Sequence, residues 1–150
     1  MKDQDFTTSI LTGRTPEEVY NAVLDVRGWW SGLYDESFES KAEKIGDEFS
    51  FLAGGGVHAT KQKLIELVPN KKVVWLVTDA NLSFVEKTDE WKGTKISFDI
   101  SREKDKTRIV FTHIGLVPDF QCYDSCAPAW TKYIQERLAE VLSTKSHQLP

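Results

Sequence analysis

Two cysteines in the C-terminal third of the chain have the spacing that most directly suggests chemistry. Cys122 and Cys126 are four residues apart, so a helix would place both thiols on one face. A helix N-terminus lowers a thiol pKa, and two thiolates with His113 or His58 would suit a soft metal such as zinc. The paired C-x-x-C pattern of strong zinc sites is absent, and a disulfide across one helical turn has poor geometry. We therefore favour two small apolar packing residues and predict no metal site.

A histidine in the last predicted strand is the second candidate for chemistry. His113 shares its parity with Ile109 and Phe111, so its side chain should point into the core. An inward histidine can act as a general base or bind a ligand, but a core histidine satisfied by its neighbours has the same pattern. The sequence has no nucleophile elbow, zinc-protease motif, phosphate loop or dinucleotide fingerprint, and its carboxylates have no recognisable catalytic spacing. We predict no catalytic residue and favour a role that is not enzymatic.

Two helices should position these residues. The longer is predicted from about Ser125 to Ser143 after a short helical turn, with an apolar stripe that includes Trp130 and Ile134. The shorter is predicted from Pro16 to about Leu24. Its start has a threonine N-cap, a proline at the first helical position and a glutamate that completes a capping box.

Nearly all the remaining periodicity is that of strands. The clearest alternation runs from Thr94 to Ser101, and an apolar run from Val73 to Thr78 predicts a central strand. Gly54 to Gly56 and the polar turns between the other strands predict hairpin connections. The adjacent Trp29 and Trp30 predict a short helical turn that closes one end of the core. The order implies an antiparallel sheet with helices on one face.

Composition and charge exclude several classes of function. The 150 residues predict a single domain spanning 1–150, and the formal charge of -4 argues against binding nucleic acid or an anionic membrane. No apolar run is long enough for a membrane span or a signal peptide. The sequence therefore predicts a cytoplasmic location with reduced cysteines.

Several motifs in order along the chain resemble those of one superfamily. The motifs are Thr15-Pro16-Glu17-Glu18-Val19-Tyr20, Asp25 with Trp29-Trp30, Leu67-Val68-Pro69 with Val73-Val74-Trp75, His113-Ile114-Gly115-Leu116, and Trp130 to Leu142. Together they resemble the START-like, or SRPBCC, helix-grip superfamily, and within it the subgroup related to the C-terminal domain of the activator of heat shock protein 90 ATPase. The chain departs from that subgroup at Ala129, where glycine is common, and in the segment from Cys122 to Cys126.

The resemblance implies an α+β helix-grip fold, in which a curved antiparallel sheet of six or seven strands wraps around the C-terminal helix, with one or two short helices after the first strand. It also implies a cavity between sheet and helix, which we predict to bind a small hydrophobic ligand without a cofactor. The predicted cavity residues are Phe49, Phe51, Trp75, Phe98, Phe111, His113, Tyr123, Ala127, Trp130 and Ile134. The alternative is that these aromatic side chains simply fill the core.

Two other functions are implied by the resemblance. One is a co-chaperone-type interaction module of the stress response, with a chaperone as partner. The other is an enzyme similar to polyketide cyclases or hydratases, which requires an open cavity and a second polar group near His113. The chain is expected to be a monomer or a homodimer.

Overall fold

The computed structural model describes residues 5–31, 33, 35–40, 44–83 and 85–145. Seven antiparallel strands form one sheet in the order β1-β7-β6-β5-β4-β3-β2. The strands are β1 (Phe6–Thr12), β2 (Ser37–Glu39), β3 (Glu48–Ala53), β4 (His58–Val68), β5 (Lys72–Leu82), β6 (Lys95–Glu103) and β7 (Lys106–Ile114). The predicted α+β helix-grip fold is confirmed.

Two short helices connect β1 to the rest of the sheet. They are α1 (Pro16–Leu24) and α2 (Val26–Trp29). The predicted capping box is present: Glu18 N–H donates to Thr15 Oγ1 at 3.1 Å, and Thr15 N–H donates to Glu18 Oε1 at 2.9 Å. These bonds satisfy two backbone donors that a helix start leaves without intrahelical partners.

Removing this cap gives a local stability prediction. Thr15→Ala is expected to lower the free energy of unfolding by about 1 kcal/mol, because the N–H of Glu18 loses its acceptor. Thr15→Ser keeps the hydroxyl and is the matched control, expected to stay within about 0.5 kcal/mol of the parent. Urea denaturation followed by circular dichroism measures both, and equal stability of the two variants would contradict the prediction.

The C-terminal helix is continuous but changes pitch. It comprises α3 (Tyr123–Lys132), a π-helical segment (Tyr133–Leu138) and α4 (Ala139–Lys145). It begins at Tyr123, two residues before the predicted start, and Pro128 lies inside it. The Gln135 amide, in the π segment, donates to Thr8 Oγ1 at 2.8 Å and to the Ser9 carbonyl at 2.9 Å, which ties the helix to β1. No helix among the described residues is long and apolar enough to span a membrane.

Curvature of the sheet comes from the β4–β5 pair. Its register shifts between Lys61 and Gln62 and again between Leu64 and Glu66. Each such irregularity bends a strand and increases its twist, so the sheet closes around the helix instead of lying flat beneath it. The inner face and the helix bury all five tryptophans of the chain.

The short helical turn predicted at the tryptophan pair is present as α2, and both tryptophans are buried in the core. Trp29 lies at the end of α2, and Trp30 leaves helical geometry at φ -91° and ψ 49°. This break lets both neighbours turn inward, with stacked rings 5.7 Å apart at 7°. Trp29 Nε1 donates to the Val23 carbonyl at 3.0 Å, which satisfies the polar atom of a fully buried ring.

Candidate functional site

A cavity of about 380 Å³ lies between the start of α3 and the β3–β4 end of the sheet. It is lined by Trp30, Phe51, Ala53, Gly54, Val57, His58, Trp91, Ser125, Cys126, Ala129, Trp130 and Tyr133. Val57 and Ser125 are exposed and Ala129 is half-buried, whereas the tryptophans are buried. The cavity is therefore open between α3 and the turn Gly54–Gly56, which joins β3 to β4, and it has an aromatic floor.

The floor consists of aromatic rings that hold one another in place. Trp30 stacks on Phe51 with ring centroids 4.2 Å apart, and Trp91 stacks on Trp130 at 5.9 Å. Trp30 and Trp130 bring the two stacks together, with ring centroids 5.0 Å apart. Because each ring is fixed by its neighbours, the apolar wall is preformed and need not be ordered by a ligand.

The structure distributes the ten predicted cavity residues unequally. Phe51 and Trp130 lie in the cavity wall. Tyr123 is half-buried beside the core, and Ala127 is buried on the helix. Six others are buried in the filled centre of the core and are not part of this wall: Phe49, Trp75, Phe98, Phe111, His113 and Ile134. Ligand contacts by any of the ten stay predictions.

The orientation of α3 explains this distribution. Cys126, Ala129 and Tyr133 follow helical spacing along the flank that faces the cavity. Ala127 and Ile134 lie on the adjoining stripe that packs into the core. Trp130 belongs to both faces, so it alone among the predicted helix residues reaches the cavity wall.

Sequence reasoning missed Trp91 as a wall residue. It lies in the turn between β5 and β6, where no periodicity marks it, and is only 2% exposed. Its ring meets His58 at 4.6 Å and His113 at 4.5 Å, edge to face in both cases. One signal was available in the sequence: Trp91 is a large aromatic residue in a charged turn, and tryptophan side chains are highly buried on average.

His113 is held by hydrogen bonds at both ring nitrogens. Trp130 Nε1 donates to His113 Nδ1 at 3.0 Å. Thr94 Oγ1 lies 2.8 Å from His113 Nε2 and donates its own proton to the Trp91 carbonyl at 2.6 Å. An indole N–H only donates and the threonine proton is already used, so Nε2 carries the imidazole proton and donates it to Thr94.

This arrangement does not suit a general base. The ring of His113 is fully buried and is not part of the cavity wall. Burial lowers the pKa of His113 to about 3, with a smaller contribution from His58, so the imidazole is neutral at neutral pH. Both of its nitrogens are already engaged, which is the pattern of a core histidine that fixes its neighbours.

His58 is the histidine that reaches the cavity. It begins β4 and its ring stands edge-on to Phe51 at 5.5 Å. Burial lowers the pKa of His58 to about 4, so it adds a neutral polar group to an otherwise apolar wall. A neutral imidazole can orient a ligand without imposing a charge on the cavity.

The two cysteines lie beside the same wall. Trp91 Nε1 donates to Cys122 Sγ at 3.2 Å, and Cys126 lines the cavity one turn further along α3. A hydrogen bond from the Cys126 thiol lowers the pKa of Cys122, helped by the Trp91 N–H. The same hydrogen bond and burial raise the pKa of Cys126. Within the described residues, no group of three or more His, Cys, Asp or Glu residues could hold a metal ion.

A second depression, of about 440 Å³, crosses strands β2 to β5. Its lining includes the exposed charged residues Glu39, Lys61 and Asp79. Its lining has two aromatic residues, Phe38 and Phe51, among many polar ones, so it suits a small apolar molecule less well than the cavity beside α3.

The curved sheet, the long helix held against it and the cavity at their open end define a START-like helix-grip protein. A family model then narrows the class: it matches residues 14–143. The chain belongs to the family described as activator of Hsp90 ATPase homolog 1-like protein.

Solved structures of similar proteins share this fold. The Aha1 dimer from Colwellia psychrerythraea is 22% identical, with a TM-score of 0.70 over 94% of this chain and 95% of that one. An HSP90 activator from Plasmodium falciparum is 17% identical, with a TM-score of 0.61 over 93% and 96%.

A protein from the dynemicin biosynthetic locus is 14% identical, with a TM-score of 0.63 over 95% of this chain and 48% of that one. At these identities the similarity establishes the fold alone. No curated protein sequence matches the chain.

Proposed function

We propose that the protein binds a small hydrophobic molecule in the cavity between α3 and the β3–β4 end of the sheet. The observation that supports this most directly is the preformed aromatic floor beneath an open mouth. The cavity volume of about 380 Å³ lies within the usual range of small-molecule sites. It equals the liquid volume of about a dozen waters, which favours a compact ligand.

The chemistry of the wall narrows the ligand class. The floor is aromatic, and no lining residue carries a formal charge at neutral pH, because His58 is neutral there. A flat, uncharged, largely apolar molecule would gain stacking contacts and would leave no ligand charge without a partner. Polar groups of the ligand would find His58 deeper in the wall and Ser125 at the mouth.

Ala129→Leu is expected to weaken ligand binding at least about tenfold, because three added carbon atoms occupy the cavity beside its mouth. The measurement is a fluorescence titration with an uncharged environment-sensitive hydrophobe. Ala139→Leu is the matched control, since Ala139 is also half-buried on the C-terminal helix but lies outside the cavity wall. Absence of saturable binding to the parent protein, or equal weakening by both variants, would count against this function.

A chaperone is the second candidate partner. The family to which the chain belongs is described by Hsp90 ATPase activation, and the Plasmodium neighbour is described as an HSP90 activator. A chaperone ATPase assay with and without this protein tests the idea. A rise in ATPase rate that saturates with added protein supports it, and an unchanged rate together with no co-purification removes it.

The cellular setting we propose is the cytoplasm. Both cysteines are free thiols, which fits a reducing compartment. For the oligomeric state we propose a monomer or a homodimer, and sedimentation velocity over a concentration series distinguishes the two. An enzymatic function with His113 as base is not proposed, since its ring is sealed from the cavity and engaged at both nitrogens.

A further inference from the structure

Two side chains on the inner face of the sheet each have a buried polar atom that the fold does not pair. Gln62 on β4 and Trp75 on β5 are both fully buried. Within the part of the chain that the structure describes, Gln62 Oε1 and Trp75 Nε1 make no hydrogen bond. A buried acceptor or donor is costly unless a small polar molecule pairs it. We propose that Gln62 and Trp75 form an internal binding site for a single O–H group, which belongs to a water molecule in the free protein.

The register of the sheet brings the two side chains together. Gln62 pairs with Val77 across the two strands, and Trp75 precedes Val77 by two residues. Gln62 and Trp75 are therefore diagonal neighbours on the inner face, a separation of about 7–8 Å that long side chains bridge. Phe49 joins them from β3: it pairs with Gln62, and its ring lies 6.0 Å from that of Trp75. The two unpaired atoms thus belong to one small group of contacting side chains.

Two irregularities in the β4–β5 pairing flank this group. Thr78 is an extra residue in β5 beside Gln62, and Ile65 is an extra residue in β4 one position beyond Leu64. A bulge bends its strand, and bulges are common next to functional sites, where they re-aim a side chain. The polar pair therefore lies where the sheet bends, at the kind of position where strands accommodate a bound group.

The remaining contacts of the amide indicate which group fits. Gln62 Nε2 donates to Thr60 Oγ1, so the amide is held at one end and its oxygen is left to bind. That oxygen needs a donor, and the Trp75 N–H needs an acceptor. Water and alcohols supply both from one oxygen atom, whereas a carbonyl group only accepts and a hydrocarbon does neither. Two polar partners are enough to hold a buried water.

The site lies behind the floor of the cavity and is not part of its wall. Phe51 lines the cavity and pairs with Thr60, the residue that holds the Gln62 amide. A molecule bound in the cavity is therefore a second source of the O–H group, if its hydroxyl replaces the water. The water site itself does not depend on ligand binding.

Water-selective nuclear Overhauser spectroscopy on the isotope-labelled full chain tests the proposal. The Trp75 Nε1–H resonance is assigned through the Phe49 and Phe98 rings, whose centroids lie 6.0 and 6.2 Å from that of the indole. It is expected to show a direct cross-peak to water. Trp29 Nε1–H is the matched control: its ring is equally buried but donates to the Val23 carbonyl, and it should show none. No water contact at Trp75, as for an N–H that faces a phenyl ring, would overturn the proposal.

Two variants distinguish a bound water from proton exchange through a hydroxyl. Gln62→Leu removes the acceptor and is expected to abolish the cross-peak, whereas Thr60→Val removes the neighbouring hydroxyl and should keep it. A cross-peak that survives Gln62→Leu, or one that Thr60→Val removes, would overturn the site. The measurement on the parent protein needs neither variant, so it decides the matter if a variant fails to fold.

Two uncharged ligands identify the source of the O–H group. If 2-naphthol removes the water cross-peak and naphthalene does not, the ligand hydroxyl has replaced the water. If neither changes it, the water is permanent, and both results support an O–H site. Loss of the cross-peak with both ligands would mean that an apolar group fills the site, which contradicts the proposal. Absence of saturable hydrophobe binding would remove the proposed function and leave the water contact at Trp75 intact.

Discussion

Trp130→Ala is expected to destabilise the protein by about 3–5 kcal/mol, the range for removing a buried aromatic side chain. The ring is only 2% exposed and lies at the junction of the two aromatic stacks that form the cavity floor. It also contacts Phe111, with ring centroids 4.6 Å apart, so one substitution opens a void between helix and sheet. The same change removes the hydrogen bond to His113 Nδ1 and leaves a buried acceptor without its partner.

Trp130→Phe separates these two effects. It keeps an aromatic ring in contact with the stacks but removes the indole N–H, so its loss should be smaller, about 1–3 kcal/mol. Guanidinium denaturation measures both variants. A loss below about 1 kcal/mol for Trp130→Ala would mean that the junction is not packed as described.

The elements of the fold were predictable because their signals are local. The capping box at Thr15 depends on residues three apart, and the alternation of Ile96, Phe98 and Ile100 reports one buried face of β6. Order and hairpin spacing then constrain the sheet to few topologies. The resemblance in motif order supplied the remaining step, the curved sheet around a long helix.

The location of the cavity was not predictable in the same way. Periodicity identifies which face of α3 is apolar, but the cavity is lined by Ala129, which lies on nearly the opposite side of the helix from the predicted Ala127. Which of them faces a void depends on the bulges in β4–β5 and on the turn that carries Trp91. Both features depend on contacts between residues distant in sequence, so most of the residues assigned to the cavity that the resemblance implies lie instead in the filled core.

The role of His113 was open for a related reason. Its parity in β7 predicted an inward side chain, and the ring is fully buried. Parity could not reveal that Thr94, nineteen residues earlier, and Trp130, seventeen residues later, both reach its ring. Those partners decide between a base and a structural residue, because they occupy the nitrogens that a base would need.

Acid sensitivity is the second prediction with a large expected effect. Burial holds the pKa of His113 at about 3 and that of His58 at about 4, below the value of 6.5 for an unperturbed histidine. Between the folded pKa values and 6.5, the unfolded chain binds protons that the folded chain does not. The contribution to stability is therefore complete above about pH 6.5 and is lost progressively as the pH falls towards the folded pKa values.

Each histidine should contribute a slope of about 1.4 kcal/mol per pH unit once the pH is well below 6.5. Urea denaturation at several pH values from about 6.5 to 5 isolates this effect, because carboxylates with ordinary pKa values titrate mainly below that window.

His58→Phe keeps an aromatic ring beside Phe51 and Trp91 but cannot take up a proton. His58→Phe should take up about one proton fewer than the parent on unfolding, which lowers the slope of the free energy of unfolding against pH. Thr15→Ser should leave that slope unchanged. The same slope in His58→Phe as in the parent would show that His58 is not held neutral by the fold. Because His58 lines the cavity and His113 does not, the comparison also separates the pH dependence of the cavity wall from that of the core.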